Sequence, residues 1–302
     1  MAGTAILGLG AMGIGLARNI IQAGIPLVGY DLNAAARASF TAAGGRAAGS
    51  AAEAAKGCDL LVLMVVDATQ ANDALFDDGA ADMLDRGSTI VLCSTVAPSQ
   101  VRALAEKLLA MGHLLLDAPV SGGQVGAQAG TLTIMASGPD AAFTRAGAVL
   151  DAISGKIYRL GEVPGIGATY KVVHQLAAGV HLVAAAELLA LGARAGCDPQ
   201  KLLEIVSSSS GNSWMFADRG PRMLQGDAPV TSAVDIFVKD LGLVMQVGQD
   251  HRVPLPLAAA AHQMMLAASG IGLGRADDSS VIRAYEVLSK PPEGRTKADE
   301  TA

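Results

Sequence analysis

The segment Thr4-Ala5-Ile6-Leu7-Gly8-Leu9-Gly10-Ala11-Met12-Gly13, followed 18 residues after its last glycine by Asp31, constrains the fold more than any other feature of the chain. The apolar run predicts a buried strand, and a helix is predicted from Ala11 to Ala23. Gly8 allows a tight turn, Gly10 lets backbone approach a pyrophosphate, and Gly13 lets the helix pack close to the sheet. The helix start would aim its unpaired N–H groups and positive dipole end at the phosphates. A second apolar run, Ile25 to Gly29, ends at Tyr30-Asp31. A carboxylate there accepts hydrogen bonds from ribose hydroxyls and repels a 2′-phosphate. No arginine follows directly, since Leu32-Asn33 come next. Strand, helix, strand and acid in this order predict a dinucleotide site made by Gly8, Leu9, Gly10, Ala11, Met12, Gly13 and Asp31, with NAD favoured over NADP. A glycine-rich turn in some other α/β domain is the alternative.

The alternation continues. Strands are expected at Thr4–Leu7, Pro26–Tyr30, Leu60–Val65, Thr89–Leu92 and Leu114–Leu116, with helices between them such as Ser99–Met111. This pattern predicts a Rossmann-type, doubly wound parallel sheet covered on both faces. Ligands then bind at the carboxyl ends of the strands, which singles out Val65-Val66-Asp67, Ser94-Thr95-Val96 and Asp117 to Gly123. Two further strands, Gly130–Gly138 and Lys156–Leu160, are expected to complete the sheet.

From about Gly165 the pattern turns helical. A long connecting helix is expected from about Ala168 to Ala195, closed by Gly196 and the Asp198-Pro199 start of the next helix. Helical patterns follow near Gln200–Ser207, Ala233–Gln249, Leu257–Ser269 and Ser279–Leu288. The expected organisation is a dinucleotide-binding domain over 1–163, an interdomain helix over 164–195, an all-α carboxyl domain over 196–289 and a mobile tail over 290–302.

Composition narrows the function classes. Of 302 residues, 51% are hydrophobic and 17% charged, which supports a sizeable core and argues against disorder. The net charge of −6 argues against a nucleic-acid partner and offers nothing to a membrane surface. Cys58, Cys93 and Cys197 form no metal-binding spacing, so no metal is expected and a reducing cytoplasm is the simplest setting. The amino-terminal apolar run lacks a basic flank and reads as the first strand, not a signal peptide. The apolar stretch Val172 to Ala195 contains His174, Gln175, His181, Glu187 and Arg194, and is expected to be too polar for a membrane span.

Several side chains allow more than one local reading. Ser121-Gly122-Gly123 after a predicted strand can form an anion nest for a substrate carboxylate, or an ordinary Gly-Gly turn. Lys171 lies at the start of the long helix, after Gly165-Ile166-Gly167, with His174 and Gln175 on the same face. A lysine of lowered pKa beside a cofactor can take a hydroxyl proton, whereas a solvated lysine at a helix start does no chemistry. His174 and His181 read locally as structural. Lys239-Asp240 reads as a surface ion pair, and Trp214 and Phe216 as core or pocket wall.

Taken together, these pieces resemble the β-hydroxyacid dehydrogenase family, which includes 3-hydroxyisobutyrate dehydrogenase and tartronate semialdehyde reductase. Four landmarks carry the resemblance, in order: the glycine motif with Met12-Gly13, the segment Asp117-Ala118-Pro119-Val120-Ser121-Gly122-Gly123, the helix start Gly167 to Lys171, and Lys239-Asp240-Leu241. The resemblance implies NAD-dependent oxidation of a small hydroxy acid, with Lys171 as general acid/base. It implies that Ser121, Gly122 and Gly123 bind the substrate carboxylate and that Thr95 lies near the nicotinamide. Val65 and Val66 would line the adenosine and ribose path, and Lys239 would stand near the cofactor and the mouth of the site. It also implies a homodimer or homotetramer formed through the helical domain.

The family often has Asn three residues after the lysine, where this chain has His174 followed by Gln175. That departure, with Ala178-Gly179-Val180-His181 further on, is most similar to the L-threonate dehydrogenase branch. A polyhydroxy acid would suit the extra polar groups, with His174 and Gln175 as substrate-binding residues. Within the same family the alternatives are 3-hydroxyisobutyrate oxidation and tartronate semialdehyde reduction. Outside catalysis the alternative is a dinucleotide-binding module without activity, against which Lys171 speaks.

Overall fold

A computed structural model describes residues 3–226 and 228–289. Six parallel strands form the first sheet: β1 (Gly3–Leu7), β2 (Leu27–Tyr30), β3 (Arg46–Ala47), β4 (Cys58–Leu63), β5 (Thr89–Leu92) and β6 (Leu114–Asp117). Their spatial order is β3-β2-β1-β4-β5-β6, the order of a Rossmann fold, with the crevice where the winding reverses between β1 and β4.

Both faces of this sheet are buried, and the side chains sort by strand alternation. Ile6, Val62, Val91 and Leu116 face one core with Leu16, Ala17 and Ile20 of the helix Gly13–Gln22. Ala5, Leu7, Leu61, Leu63, Ile90 and Leu92 face the other, with Val101, Leu104 and Leu108 of the helix Pro98–Ala110. The runs of consecutive apolar residues in β1, β4 and β5 follow from this double burial.

The strands expected to complete the sheet do not join it. β7 (Val120–Ser121), β8 (Leu132–Ala136) and β9 (Ser154–Arg159) form a separate three-stranded sheet, with β7 antiparallel and β9 parallel to β8. A two-way bridge joins the sheets: the Asp117 N–H donates to the Ser137 carbonyl at 3.0 Å, and the Ser137 N–H returns to the Asp117 carbonyl at 2.8 Å. Pro119 lacks an N–H, so the chain turns there instead of extending the parallel ladder.

The first helix begins at Gly13, not near Ala11. Residues 10–12 form the turn that leads into it, and the Ile14 N–H bonds the Gly10 carbonyl at 3.0 Å. β4 ends at Leu63, so Val65 and Val66 lie in the loop beyond it. There Asp67 caps the next helix by accepting from the Gln70 N–H at 2.9 Å.

The long helix spans Ile166–Arg194. The described chain divides into two compact units, Met1–His174 and Gln175–Ala302, with the division inside this helix. By length and composition the helix is apolar enough to cross a membrane, which corrects the expectation that its polar residues rule this out. Those residues are too widely spread to interrupt an 18-residue apolar window.

The second unit is helical: after the long helix come Pro199–Ser207, Trp214–Gln225, Val234–Asp250, Pro256–Ala268 and Ile282–Leu288. Asp198 and Pro199 start the first of these as expected, Asp198 accepting from the Lys201 N–H at 2.8 Å. A buried ion pair ties this unit together. Arg219 donates to both carboxylate oxygens of Asp278, at 2.7 and 3.0 Å, and also pairs with Asp218. Of the two aromatics considered for a pocket, Phe216 is buried and Trp214 is exposed. The tail 290–302 lies outside the described residues.

Candidate active site

The glycine loop after β1 separates into structural and open positions. Gly8 has φ +92° and a Cβ there would stand 2.3 Å from the Met64 carbonyl oxygen, so only glycine fits. A Cβ on Gly13 would stand 2.0 Å from the Gly8 carbonyl oxygen, which is the close packing of helix on loop that the motif requires. Gly10 is exposed, and a Cβ there would meet no protein atom within 4 Å. Among the described residues nothing demands glycine at position 10, which fits a backbone reserved for a ligand. Leu9 is buried beneath the loop, while Ala11 is exposed and Met12 half-buried.

Asp31 stands at the end of β2 and is bonded to this loop. One carboxylate oxygen accepts from the Leu9 N–H at 2.7 Å and the other from the Asn33 N–H at 2.8 Å. Adjacent sequence shows no arginine, yet the fold brings one back. Arg37, in the helix Ala34–Ala42, donates to the carbonyls of Asp31 (2.6 Å) and Leu32 (3.1 Å), with its guanidinium 5.6 Å from the Tyr30 ring centre. Inspecting only the two residues after Asp31 misses this. Asn33 as the cap of a helix over Ala34–Ala42 is the signal that could have placed Arg37 back against the end of β2.

The neighbouring strand ends are also present. The Val65 N–H donates to Ser94 Oγ at 3.0 Å, which ties the loops after β4 and β5 together. Val66 is exposed, with its N–H on Gln70 Oε1 at 3.0 Å. Thr95 is half-buried next to Ser94. Carboxyl ends of several parallel strands, one open glycine and a carboxylate at the β2 end suit a dinucleotide.

Ser121 ends β7, and Gly122 and Gly123 follow with φ of +129° and +59°. Both values lie where glycine is favoured. Ser121 Oγ is 3.3 Å from His174 Nε2, so the fold places one candidate substrate-binding segment against another. Lys171 is buried, one helical turn before the exposed His174. In the second unit Gln175 donates to Asp240 Oδ2 at 2.5 Å, and Lys239 pairs with Asp240 Oδ1 at 2.8 Å. Asp240 is buried and organises both neighbours, a role that its reading as half of a surface pair overlooked.

Beneath Lys171 the helix start is held by Asp117. Its Oδ2 accepts from the N–H groups of Gly165 and Ala168, both at 2.8 Å, and from Ser137 Oγ at 3.2 Å. Ser137 Oγ in turn accepts from the Gly167 N–H at 2.9 Å. Burial pushes the Asp117 carboxyl up to about 6, against the pull of these donors. Burial, with the Asp117 charge adding to it, pushes the Cys93 thiol up to about 12, so Cys93 is an inert core residue.

Residues 4–161 match the NAD binding domain of 6-phosphogluconate dehydrogenase, and residues 165–285 match the NAD-binding domain of NADP-dependent 3-hydroxyisobutyrate dehydrogenase. The second match contains the long apolar helix, which is therefore part of the enzyme fold. The L-threonate dehydrogenase of Cupriavidus necator is 46% identical over 95% of this chain and 97% of its own. That of Escherichia coli K12 is 44% identical over 95% of each. A crystal structure of a 3-hydroxyisobutyrate dehydrogenase from Salmonella typhimurium is 47% identical and superposes with a TM-score of 0.89, covering 94% of this chain and 99% of its own. With a Rossmann sheet, an open glycine loop and both halves matched, the chain belongs to the 3-hydroxyisobutyrate dehydrogenase-like family of NAD(P)-dependent hydroxyacid dehydrogenases.

Proposed function

We propose that this enzyme oxidises L-threonate at its 2-hydroxyl with NAD, forming 2-dehydro-L-erythronate, with Lys171 as general acid/base. The observation that carries the substrate is the 44–46% identity, over almost the whole chain, to relatives named L-threonate dehydrogenase. The pairing of His174 with Ser121 supports it, because it adds a polar group beside the segment assigned to the carboxylate. Buried hydroxyls left without partners cost about 1–3 kcal/mol each, so a polyhydroxy acid needs such groups.

Ser121, Gly122 and Gly123 hold the substrate carboxylate, and His174 and Gln175 bond its further hydroxyls. Lys171 accepts the proton of the 2-hydroxyl as the C2–H bond breaks, leaving a carbonyl at C2 and an ammonium on the lysine. Lys171 is buried, so the step takes place away from bulk solvent. NAD supplies the hydride acceptor. Gly8, Leu9, Gly10, Ala11, Met12 and Gly13 hold its pyrophosphate, Asp31 its adenosine ribose, and Val65, Val66, Thr95 and Lys239 line the rest of its path. Asp31 favours NAD, while Arg37 nearby supplies a positive charge that tempers the preference.

We assign the working form to a homodimer or homotetramer in the cytoplasm. Its free cysteines Cys58, Cys93 and Cys197 suit a reducing compartment. Oxidation of 3-hydroxyisobutyrate or reduction of tartronate semialdehyde is the second reading, favoured by the Salmonella structure that carries the former name.

The test is initial-rate NADH formation at 340 nm with L-threonate, D-threonate, D-glycerate and 3-hydroxyisobutyrate, repeated with NADP. A rate confined to L-threonate and NAD is expected. Preference for 3-hydroxyisobutyrate would replace the substrate and keep the family. Light scattering on the eluted protein checks the oligomer.

A further inference from the structure

Asp117 bonds the start of the long helix that carries Lys171 and stands, in chain, four residues before Ser121. Its backbone bridges Ser137 and leads within four residues to Ser121. Its side chain takes the N–H groups of Gly165 and Ala168, and through Ser137 Oγ it also holds the N–H of Gly167. These are the unpaired donors at the first turn of the long helix, and Lys171 lies three residues beyond Ala168. A Cβ on Gly167 would stand 2.3 Å from the Met135 carbonyl oxygen and 3.1 Å from Asp117 Oδ2, so the helix start is pressed against the sheet bridge. Asp117 is fully buried, and a carboxylate with no solvent contact is a rigid anchor.

We propose that Asp117 is a positioning residue that sets Lys171 against the Ser121–Gly123 segment, by fastening the start of the long helix to the bridge between the two sheets. The inference rests on Lys171 as acid/base. Turnover in such a site is sensitive to displacements of about 1 Å, which can cost on the order of a hundredfold in rate.

The test compares Asp117→Asn, Ser137→Ala and Lys171→Ala with the unaltered enzyme, using NAD and whichever hydroxy acid that enzyme turns over fastest. Asn keeps the size and one acceptor but loses the charge; Ala at 137 removes only the hydroxyl that relays Gly167. The expected result for Asp117→Asn is a kcat at least about tenfold lower and an ionising limb of the pH–kcat profile moved by about half a unit. NADH affinity, followed by fluorescence, stays within about twofold. Ser137→Ala shows the same changes at smaller size, about threefold in kcat, and decides the matter alone if Asp117→Asn does not fold. A lowered Tm with wild-type kcat and an unmoved pH limb overturns the proposal and makes Asp117 a folding residue. Undiminished turnover in Lys171→Ala overturns instead the acid/base reading beneath it.

Discussion

Gly8 and Gly10 stand two positions apart and answer to different partners. Gly8 is held at positive φ against Met64, so Ala there forces the backbone to move. Gly8→Ala should cost at least about 2 kcal/mol of stability in urea unfolding. Gly10 meets nothing, and Gly10→Ala should leave stability within about 0.5 kcal/mol of wild type. The same change should weaken NADH binding about tenfold or more, as a methyl group enters space kept for the pyrophosphate. Wild-type NADH affinity in Gly10→Ala would remove the pyrophosphate from this loop. The placing of both glycines after β1 and of Asp31 after β2 was legible from spacing alone. The partners of Arg37, Asp117 and Asp240 were not, because each acts across a turn or between elements that no local pattern joins.

Among the elements, the long helix and the helix Val234–Asp250 meet closely in the second unit. Gly179 is buried there, and a Cβ on it would stand 2.6–3.0 Å from three side-chain carbons of Leu241. This close approach accompanies the 2.5 Å bond between Gln175 and Asp240, one turn earlier on the long helix and one residue before Leu241. Gly179→Val should force the two helices apart and destabilise the protein by about 1–3 kcal/mol. It should also raise KM for the hydroxy acid, since Gln175 loses its anchor. A variant with normal Tm and normal KM would show that the contact carries no positional information. Both helices were readable from their periodicity, as was the Asp198-Pro199 start between them; their closeness was not.

At the scale of the whole molecule, pH links the buried carboxyls to folding. Asp117 ionises near 6 in the folded protein and near 3.8 unfolded. Below both values the two states carry the same proton and its full contribution to stability is present. Between about 4 and 6 the unfolded chain ionises first, so stability falls as pH rises, by up to about 3 kcal/mol, and is level above that. Asp277 acts oppositely. Burial alone would raise it, but hydrogen bonds from Thr231 and Ser279 hold it below its ordinary value, so its contribution is lost only as pH drops beneath about 4. Urea unfolding of wild type and Asp117→Asn from pH 4 to 7 checks this: the wild-type decline between 4 and 6 should be smaller in the variant, leaving the part that the buried Asp278, also raised, contributes. Parallel curves for the two proteins would show that Asp117 titrates normally.

The sequence by itself determined the Rossmann architecture, the helical second half, the dinucleotide loop and the family. Each of these is written in short-range terms: apolar runs, glycine spacing, caps and ordered motifs, which follow from local sterics and strand or helix period. Tertiary structure alone decided that the last strands form a second sheet, that Arg37 returns to the end of β2, that Ser121 meets His174, and that one buried carboxylate holds the helix carrying Lys171. Those outcomes depend on where a Pro119 turn sends the chain and on which donors burial leaves for a carboxylate to satisfy. Such partners are separated by up to 53 positions in the chain, and only packing brings them within hydrogen-bond reach.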